Sequence, residues 1–301
     1  MLWQRLTFGP LFIVLLFVAL WLDEVVDRAV LPEAIQSLIG RETMPPGTVT
    51  FMLCAPLSVL GARELTRLLR AKGLPASKRV LGLAAMVGLV ASGLVPDDAG
   101  GVRAMAAVGF ASVAVMAGSI AFYGRKQSLE GVVAGAGGAV LAFVYLGLMF
   151  GFILAIRREH SVWVLLWVLG TTKACDIGAF FTGRAVGKHK LISWLSPGKT
   201  WEGLYGGVAT SAVVGGLGAW GLRTLEVGDA GPWWAGALMG AIFGLVGQAG
   251  DLMASALKRD AGAKDSGGSL PGFGGVLDVL DSPLLVAPVA YWALVGVGLW
   301  L

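Results

Sequence analysis

The sequence predicts an all-α fold, that of a polytopic membrane protein with about nine transmembrane helices. Of its 301 residues, 56% are hydrophobic and 14% are charged, and the mean hydropathy is +0.77. Such a composition lies far outside that of soluble domains. A helix needs about 20 mostly apolar residues to cross the hydrocarbon core. The segments that meet this need are residues 8–22, 47–65, 80–95, 102–122, 131–156, 161–182, 203–222, 232–257 and 283–301.

The first of these segments also has features of a signal peptide. It is short, contains Gly9 and Pro10, and follows the basic residue Arg5. No small-x-small cleavage site comes after its apolar core. We therefore expect a helix that is retained in the protein.

Lys and Arg residues concentrate in the loops of one side when the nine segments alternate across the bilayer. Cytoplasmic loops carry such an excess. The sequence therefore predicts a multi-pass protein of the cell (inner) membrane, with the N-terminus and the polar loops of the C-terminal half in the cytoplasm. The net charge of +4 expresses the same bias, so it is weak evidence for nucleic-acid binding, and no nucleic-acid partner is expected.

The chain divides into two regions of different character. Residues 1–160 are N-terminal helices of small and aliphatic residues, and their expected roles are packing, dimer contacts or lipid access. Within them, the amphipathic stretch 62–73 is expected at the membrane interface, and an interior position for Glu64 is the alternative. Residues 161–301 carry ionisable side chains in or beside helices. Such side chains are costly in lipid, so their presence indicates a function. Residues 161–301 form the expected catalytic region.

Polar residues first enter a C-terminal helix at Lys173 and Asp176. The two are three apart and so share a helix face. Either they form an ion pair that neutralises itself, or Asp176 forms a wall of a polar cavity. The sequence leaves both interpretations open.

The basic loop 183–203 comes next. Its Gly-Lys-Thr at 198–200 matches the end of a P-loop, but that pattern requires glycine at position 193, where this chain has Ser193. A P-loop nucleotide site is therefore not expected. The side chains in this loop that suit phosphate binding are Ser196, Lys199 and Thr200, with Glu202 at the start of the next helix. A loop whose charge only sets the topology is the alternative.

A second polar stretch precedes the last apolar segment. One helix face carries, in order, Asp251, Ser255, Lys258 and Arg259. The glycine-rich residues 266–275 then allow the backbone to fold back, and Asp278 and Asp281 follow three apart. In this arrangement Asp251 and Asp278 can face each other.

Carboxylates beside several cations suit a magnesium and phosphate site. Oxygen ligands hold the hard cation, and lysine and arginine neutralise phosphate oxygens. Carboxylates that act as general bases are the other catalytic option. A solvated loop with helix-capping acids is the structural alternative, although Asp251 lies within the apolar stretch GQAGDLMAS, where a charge is costly.

Residues 255–282, SALKRDAGAKDSGGSLPGFGGVLDVLDS, resemble the signature of the phosphatidate cytidylyltransferase (CDP-diacylglycerol synthase) family. That signature runs S-x-x-K-R, four residues, K-D, then P-G-H-G-G and D-R-x-D. The upstream residues 176–203, DIGAFFTGRAVGKHKLISWLSPGKTWEG, resemble the second block of this family. Two positions differ: Phe273 stands where the signature has histidine, and Val279 where it has arginine.

The resemblance implies an all-helical membrane homodimer that transfers CMP from CTP to phosphatidate, giving CDP-diacylglycerol and pyrophosphate in phospholipid biosynthesis. It also implies magnesium as the cofactor, alone or with a second cation, held by Asp251 and Asp278. The catalytic residues that it implies are Asp251, Lys258, Arg259, Lys264, Asp278 and Asp281. The substrate-binding residues that it implies are Ser196, Lys199, Thr200, Glu202, Ser255 and Asp265.

Two functions from other classes stay open. A CDP-alcohol phosphotransferase also uses aspartates at a membrane face, but the D-G-x-x-A-R start of its pattern does not occur here, and the closing acids, Asp278 and Asp281, are three apart and do not fit its D-x-x-x-D end. A transporter would place ionisable residues near the bilayer midplane and often contains inverted repeats. In this chain the charges cluster at one face, and we find no repeat.

Overall fold

The computed structural model describes residues 2–39, 41–93, 101–125 and 129–298, which form helices and one short hairpin. The helices are α1 (Leu2–Val26), α2 (Glu33–Ile39), α3 (Thr48–Ala71), α4 (Lys78–Gly93), α5 (Gly101–Gly124), α6 (Val132–Ala142), α7 (Met149–Glu159), α8 (Val162–Val186), α9 (Trp201–Thr224), α10 (Trp233–Asp260) and α11 (Val276–Gly298). The π-helical segment Phe143–Leu148 joins α6 and α7 into one continuous helix. The antiparallel strands of the hairpin are β1 (Lys190–Ile192) and β2 (Ser196–Thr200).

Seven helices in the described ranges are long and apolar enough to cross a membrane, which confirms an all-α polytopic membrane fold. They are Thr7–Val26, Thr48–Ala71, Gly101–Gly124, Val132–Glu159, Val162–Val186, Trp233–Asp260 and Val276–Gly296. Two of the nine predicted segments fall short of this measure of length and composition in the described residues. Helix α4 has 16 residues, fewer than the roughly 20 that a crossing needs. Helix α9 has 24 residues, but its many glycines contribute little hydropathy.

The last helix begins earlier than the predicted segment 283–301. It starts at Val276, so Asp278 and Asp281 lie in its first two turns instead of in the preceding loop. The cause is Glu64 of α3, whose carboxylate accepts hydrogen bonds from the first two backbone N–H groups of α11. The first turn of a helix leaves such groups unpaired, so a buried acceptor stabilises the helix start.

Glycines allow close crossings among the C-terminal helices. A Cβ added to Gly215 of α9 would lie 2.9 Å from the Cα of Gly240 in α10. One added to Gly250 of α10 would lie 2.6 Å from the carbonyl oxygen of Asp281 in α11. Both distances are too short for a real side chain, so small residues are required where these helices meet. The crossing at Gly250 places Asp251 beside the first turns of α11.

A buried charge cluster joins α1, α3 and α7 at the end of the bundle opposite the hairpin. Arg157 is 3% exposed, and its Nε lies 2.7 Å from the carboxylate of Asp23, while Asp27 also pairs with its guanidinium. Asp23 in turn accepts a hydrogen bond from the backbone N–H of Val49 at 2.7 Å. Buried charges are tolerated when they are paired in this way. Helix α8 starts beside this cluster, at Val162, and ends at the hairpin on the opposite face of the bundle.

Candidate active site

The hairpin places Lys199 of β2 against α10. Its Nζ lies 2.7 Å from the carboxylate of Asp251 and donates a hydrogen bond of 2.7 Å to the side-chain oxygen of Gln248. Gln248 and Asp251 are three apart on α10 and so share one face of that helix. One lysine therefore bridges the hairpin and two polar residues of a membrane helix.

Gln248 extends this contact to α8. Its Nε2 donates to Oδ1 of Asp176 at 2.9 Å, and the other oxygen of Asp176 lies 3.2 Å from Nζ of Lys173. Gln248 is not among the site residues predicted from the sequence. The available indication was a lone amide in the apolar stretch GLVGQAG, because a polar side chain is costly there without a partner.

A cavity of about 500 Å³ lies among α8, the hairpin, α9 and α10, and we call it the hairpin cavity. Its charged and polar lining residues are Asp176, Arg184, Lys199, Thr200, Gln248 and Asp251. Both interpretations of Asp176 therefore hold, since it pairs with Lys173 and also forms part of the wall. Thr200 has a second role, because its Oγ1 accepts a hydrogen bond from the backbone N–H of Gly203 and caps α9.

Two of the four predicted binding residues of the loop 183–203 lie outside the lining of this cavity. Glu202, in the first turn of α9, accepts hydrogen bonds from Nδ1 of His189 at 2.6 Å and from the backbone N–H of Lys188 at 3.1 Å. The hydrogen bond from His189 is the main reason that the pKa of Glu202 is lowered to about 2. Ser196 begins β2 and is partly buried. Glu202 thus holds the hairpin in place beside the cavity.

Asp278 is the centre of a second polar cluster. One of its oxygens lies 2.7 Å from Nζ of Lys258 on α10. The other accepts hydrogen bonds from the backbone N–H of Ser266 at 2.9 Å and of Gly275 at 2.8 Å. The carboxylate thereby fixes both ends of the glycine-rich loop 266–275 against α10 and α11.

Glu64 lies behind the same loop and is 5% exposed. Its Oε1 accepts hydrogen bonds from the hydroxyl of Ser269 and from the N–H of Val276. The hydroxyl of Ser266 lies between two carboxylates, 2.9 Å from Glu64 and 3.0 Å from Asp278. The expected interfacial position of residues 62–73 is wrong at Glu64, and the alternative, an interior position, is correct. A residue of the N-terminal region therefore shapes the site, although the sequence analysis gave Glu64 no role in the site.

Asp281 lies one turn beyond Asp278 and is 4% exposed. Its Oδ1 accepts a hydrogen bond of 2.7 Å from the backbone N–H of Ser282. Asp251 is the main negative charge acting on it and Lys173 and Lys258 are the positive ones, but no salt bridge joins Asp281 to a lysine or arginine among the described residues. Two neighbouring carboxylates with this balance of charge favour a positive ion beside them.

Of the other predicted residues, Ser255 contacts the site and three are exposed to solvent. The Oγ of Ser255 lies 3.5 Å from Oδ1 of Asp251, at the limit of a hydrogen bond. Arg259, Lys264 and Asp265 are exposed, and the guanidinium of Arg259 donates to a backbone carbonyl of its own loop. The two aspartates expected to face each other, Asp251 and Asp278, are paired with different lysines.

Phe273, at the position of the signature histidine, makes an apolar contact with α1. Its ring centroid lies 6.0 Å from that of Phe12, edge to face. A Cβ added to Gly9 would lie 3.3 Å from the ring. This position of the loop therefore anchors α1 instead of offering a polar group to the site. Val279, at the position of the signature arginine, is partly buried in α11.

Comparison with known proteins places the chain in a family. The sequence profile of the Cytidylyltransferase family matches residues 3–296. The chain belongs to this family. This membership confirms the resemblance that residues 176–203 and 255–282 carry.

Named relatives match the chain over part of its length. A phosphatidate cytidylyltransferase of Synechocystis is 47% identical over 124 residues, which are 40% of each chain. One of Bacillus subtilis is 36% identical over 156 residues, 51% of this chain and 56% of the relative. An uncharacterized protein of Escherichia coli is 36% identical over 164 residues, 48% of this chain and 52% of the relative. The chain thus spans about half the length of the curated relatives that it matches.

Proposed function

We propose that this member of the cytidylyltransferase family transfers CMP from CTP to phosphatidate and forms CDP-diacylglycerol and pyrophosphate. The observation that carries the proposal is the pair of lysine–carboxylate contacts, Lys199 with Asp251 and Lys258 with Asp278, both at 2.7 Å. Lysines held in this way can exchange a carboxylate for a phosphate oxygen, which frees the carboxylate for a cation. The names of the relatives from Synechocystis and Bacillus subtilis state the same activity.

The proposed reaction needs positive charge more than it needs a base. A phosphate monoester has a second pKa of about 6, so phosphatidate is mostly a dianion at neutral pH. One of its phosphate oxygens would attack the α-phosphorus of CTP. A new P–O bond forms as the bond from the α-phosphorus to the bridging oxygen of the β-phosphate breaks, and pyrophosphate leaves with that electron pair. The main barrier is to bring two anions together in line, so positioning and charge neutralisation carry the catalysis.

The two lysines would have separate tasks in this reaction. Lys199 lines the hairpin cavity together with Arg184, so it would hold the phosphates of CTP. Lys258 belongs to α10, and its ammonium reaches Asp278 of α11. It would neutralise the phosphate of the lipid. Gln248 would keep the ammonium of Lys199 in place when Asp251 changes partner, because it holds that ammonium independently.

The carboxylates of the site suit magnesium, although the described residues contain no preformed group of three or more His, Cys, Asp or Glu side chains at metal-binding distances. The observation that tests this fit is Asp281, a buried carboxylate beside Asp251 that forms no salt bridge in the described part of the chain. Oxygen donors of this kind match a hard divalent cation. Asp251 and Asp278, with Asp281, would hold magnesium, alone or with a second cation. When bound, it would polarise phosphate oxygens and neutralise their charge.

We further propose that the face with the hairpin and the glycine-rich loop is cytoplasmic and that the protein is a homodimer of the inner membrane. The bias of Lys and Arg towards this face supports the orientation. CTP would then reach the hairpin cavity from the cytoplasm, and the acyl chains of phosphatidate would stay among the helices.

One assay tests the proposed reaction. Purified protein in detergent receives CTP labelled at the α-phosphate, phosphatidate and magnesium. We expect label in the lipid fraction and one pyrophosphate for each lipid-linked CMP. Phosphatidylcholine in place of phosphatidate is the control, because it lacks a free monoester. If folded protein forms no lipid-linked CMP with any divalent cation tested, the proposed function is wrong.

A further inference from the structure

A second cavity lies on the face of the bundle that carries the glycine-rich loop. It has a volume of about 440 Å³, and we call it the arginine cavity. Its lining residues are Arg63, Glu64, Arg67, Arg70, Lys78, Gly267, Gly268 and Ser269. It shares no lining residue with the hairpin cavity. The two cavities are therefore separate places at which an anion can bind.

The cations of this cavity come from one short part of the chain. Arg63, Arg67 and Arg70 follow the i, i+4, i+7 spacing of one face of α3, and Lys78 is the first residue of α4. Two of the arginines are fixed by backbone carbonyls, Arg67 by that of Ser266 and Arg70 by that of Ala76 at 2.7 Å. Each guanidinium has five N–H donors, so both arginines have further donors that can serve a ligand.

Protein carboxylates do not balance these charges. Glu64 is the one acid of the lining, and both of its oxygens already accept hydrogen bonds from the glycine-rich loop and the start of α11. Neither Arg63 nor Lys78 forms a salt bridge with any residue that the structure describes. All four cations are exposed, so water screens part of their mutual repulsion, and an anion between them would offset the rest. The arrangement is that of a site prepared for an external anion.

We propose that the arginine cavity binds the phosphate group of an anionic phospholipid. Arginine forks match the geometry of phosphate oxygens and bind them through paired hydrogen bonds. The cavity lies at the ends of two helices, α3 and α4, where basic pockets meet lipid head groups. A monoester such as phosphatidate offers more negative charge than a diester. The same chemistry would admit inorganic phosphate or CTP, and the experiment separates these sources. The proposal concerns binding and does not depend on the proposed transfer reaction.

The test compares two double variants of equal charge. Arg63→Gln with Lys78→Gln removes the two cations that form no salt bridge, so the glycine-rich loop keeps its contacts. Arg79→Gln with Lys190→Gln removes two exposed cations of the same face that do not line the cavity. Binding of short-chain phosphatidate to purified protein is measured by native mass spectrometry in a neutral detergent. Inorganic phosphate, CTP and short-chain phosphatidylglycerol are added in separate arms as competitors.

We expect the wild type to bind two phosphatidates, one of them beside Lys258, and the cavity variant to bind one of the two about tenfold more weakly, which corresponds to about 1.4 kcal/mol. The control variant should stay within about twofold. Phosphatidylglycerol should compete weakly, and inorganic phosphate and CTP should not displace the lipid. Equal losses in both double variants would reduce the effect to general surface charge and overturn the proposal. Displacement by inorganic phosphate or CTP at similar concentrations would also overturn it, because the site would then belong to a soluble ligand.

Discussion

The carboxylate of Glu64 accepts a hydrogen bond of 2.9 Å from the backbone N–H of Val276, so the third helix caps the eleventh. The two residues are 212 positions apart. The same carboxylate accepts hydrogen bonds from the hydroxyls of Ser266 and Ser269, and the loop from Ser266 to Gly275 carries the backbone donors that hold Asp278. The position of Asp278 in the second cluster therefore depends on a residue of the N-terminal region.

We predict that Glu64→Gln destabilises the protein. An amide can accept with its oxygen alone, so at least one buried donor loses its partner, at a cost of about 1–3 kcal/mol. The thermal unfolding midpoint in detergent should fall by several degrees. Glu33→Gln, at an exposed position in α2, is the matched control and should leave the midpoint in place. Equal midpoints for Glu64→Gln and the wild type would contradict the capping role.

The positions of the helices were largely predictable, whereas the start of the last helix was not. Apolar runs of about 20 residues identify membrane helices because each crossing must satisfy the same thickness. The start of α11 at Val276 depends instead on a side chain supplied by α3. Such a long-range cap leaves no periodic pattern in the local sequence.

The candidate site was predictable where one helix carries its residues. The spacing of Asp251, Ser255 and Lys258 follows from helical geometry alone. The contact from Lys199 through Gln248 to Asp176 joins β2, α10 and α8. It depends on the fold of the hairpin, which the sequence analysis treated as a loop. Tertiary contacts between distant segments therefore account for what was missed.

We predict that Asp251→Asn and Asp278→Asn both lower turnover by several orders of magnitude, because each removes a carboxylate that would hold the magnesium. They should differ in stability. Asp278 holds three donors of the glycine-rich loop, and its side chain is 9% exposed, whereas that of Asp251 is 32% exposed. A lower thermal midpoint is therefore expected for Asp278→Asn alone.

Asp260→Asn is the control for these two variants, since Asp260 pairs with Lys72 at the exposed end of α10. Exposed pairs contribute little, so this variant should keep both turnover and midpoint. Activity close to that of the wild type in either site variant at saturating magnesium would remove the aspartate concerned from the proposed metal site.

We predict that Lys199→Ala mainly weakens the use of CTP. The ammonium lines the hairpin cavity, and its loss should raise KM for CTP by more than it lowers kcat at saturation. Gln248→Leu should shift KM in the same direction by a smaller factor, since it frees the ammonium without removing it. Lys188→Ala, on the exposed side of the same hairpin, is the control. If the KM for CTP is unchanged in Lys199→Ala, this lysine does not bind CTP, and its charge serves the membrane topology alone.

We predict that cysteines at Gly268 and at Leu225 are labelled from opposite sides of the membrane. Gly268 follows α10 and Leu225 precedes it, and the 28 residues of that helix span about 42 Å. Both positions are exposed, and a Cβ at Gly268 meets no atom within 4 Å. Cys54 and Cys175 are buried and can be replaced by alanine to give a silent background. Labelling of both cysteines by an impermeant reagent from one side would refute a membrane-crossing α10.

The replacement of the signature histidine gives the last prediction. A lost charge-assisted contact to phosphate is worth about 1.5–3 kcal/mol, which would slow turnover by about one to two orders of magnitude. Restoring it by Phe273→His should nevertheless fail to raise turnover, because the ring at this position lies against Phe12 and Gly9 of α1. An imidazole there would lose the aromatic contact, worth about 0.5–1.5 kcal/mol, and would meet apolar groups. Phe273→Leu is the matched control, as it removes the aromatic ring and supplies no hydrogen-bonding group. We expect Phe273→His and Phe273→Leu to show equal turnover and similarly lowered thermal midpoints. A tenfold higher turnover for the histidine variant would show that position 273 reaches the phosphate after all, and that the phenylalanine limits the rate of this protein.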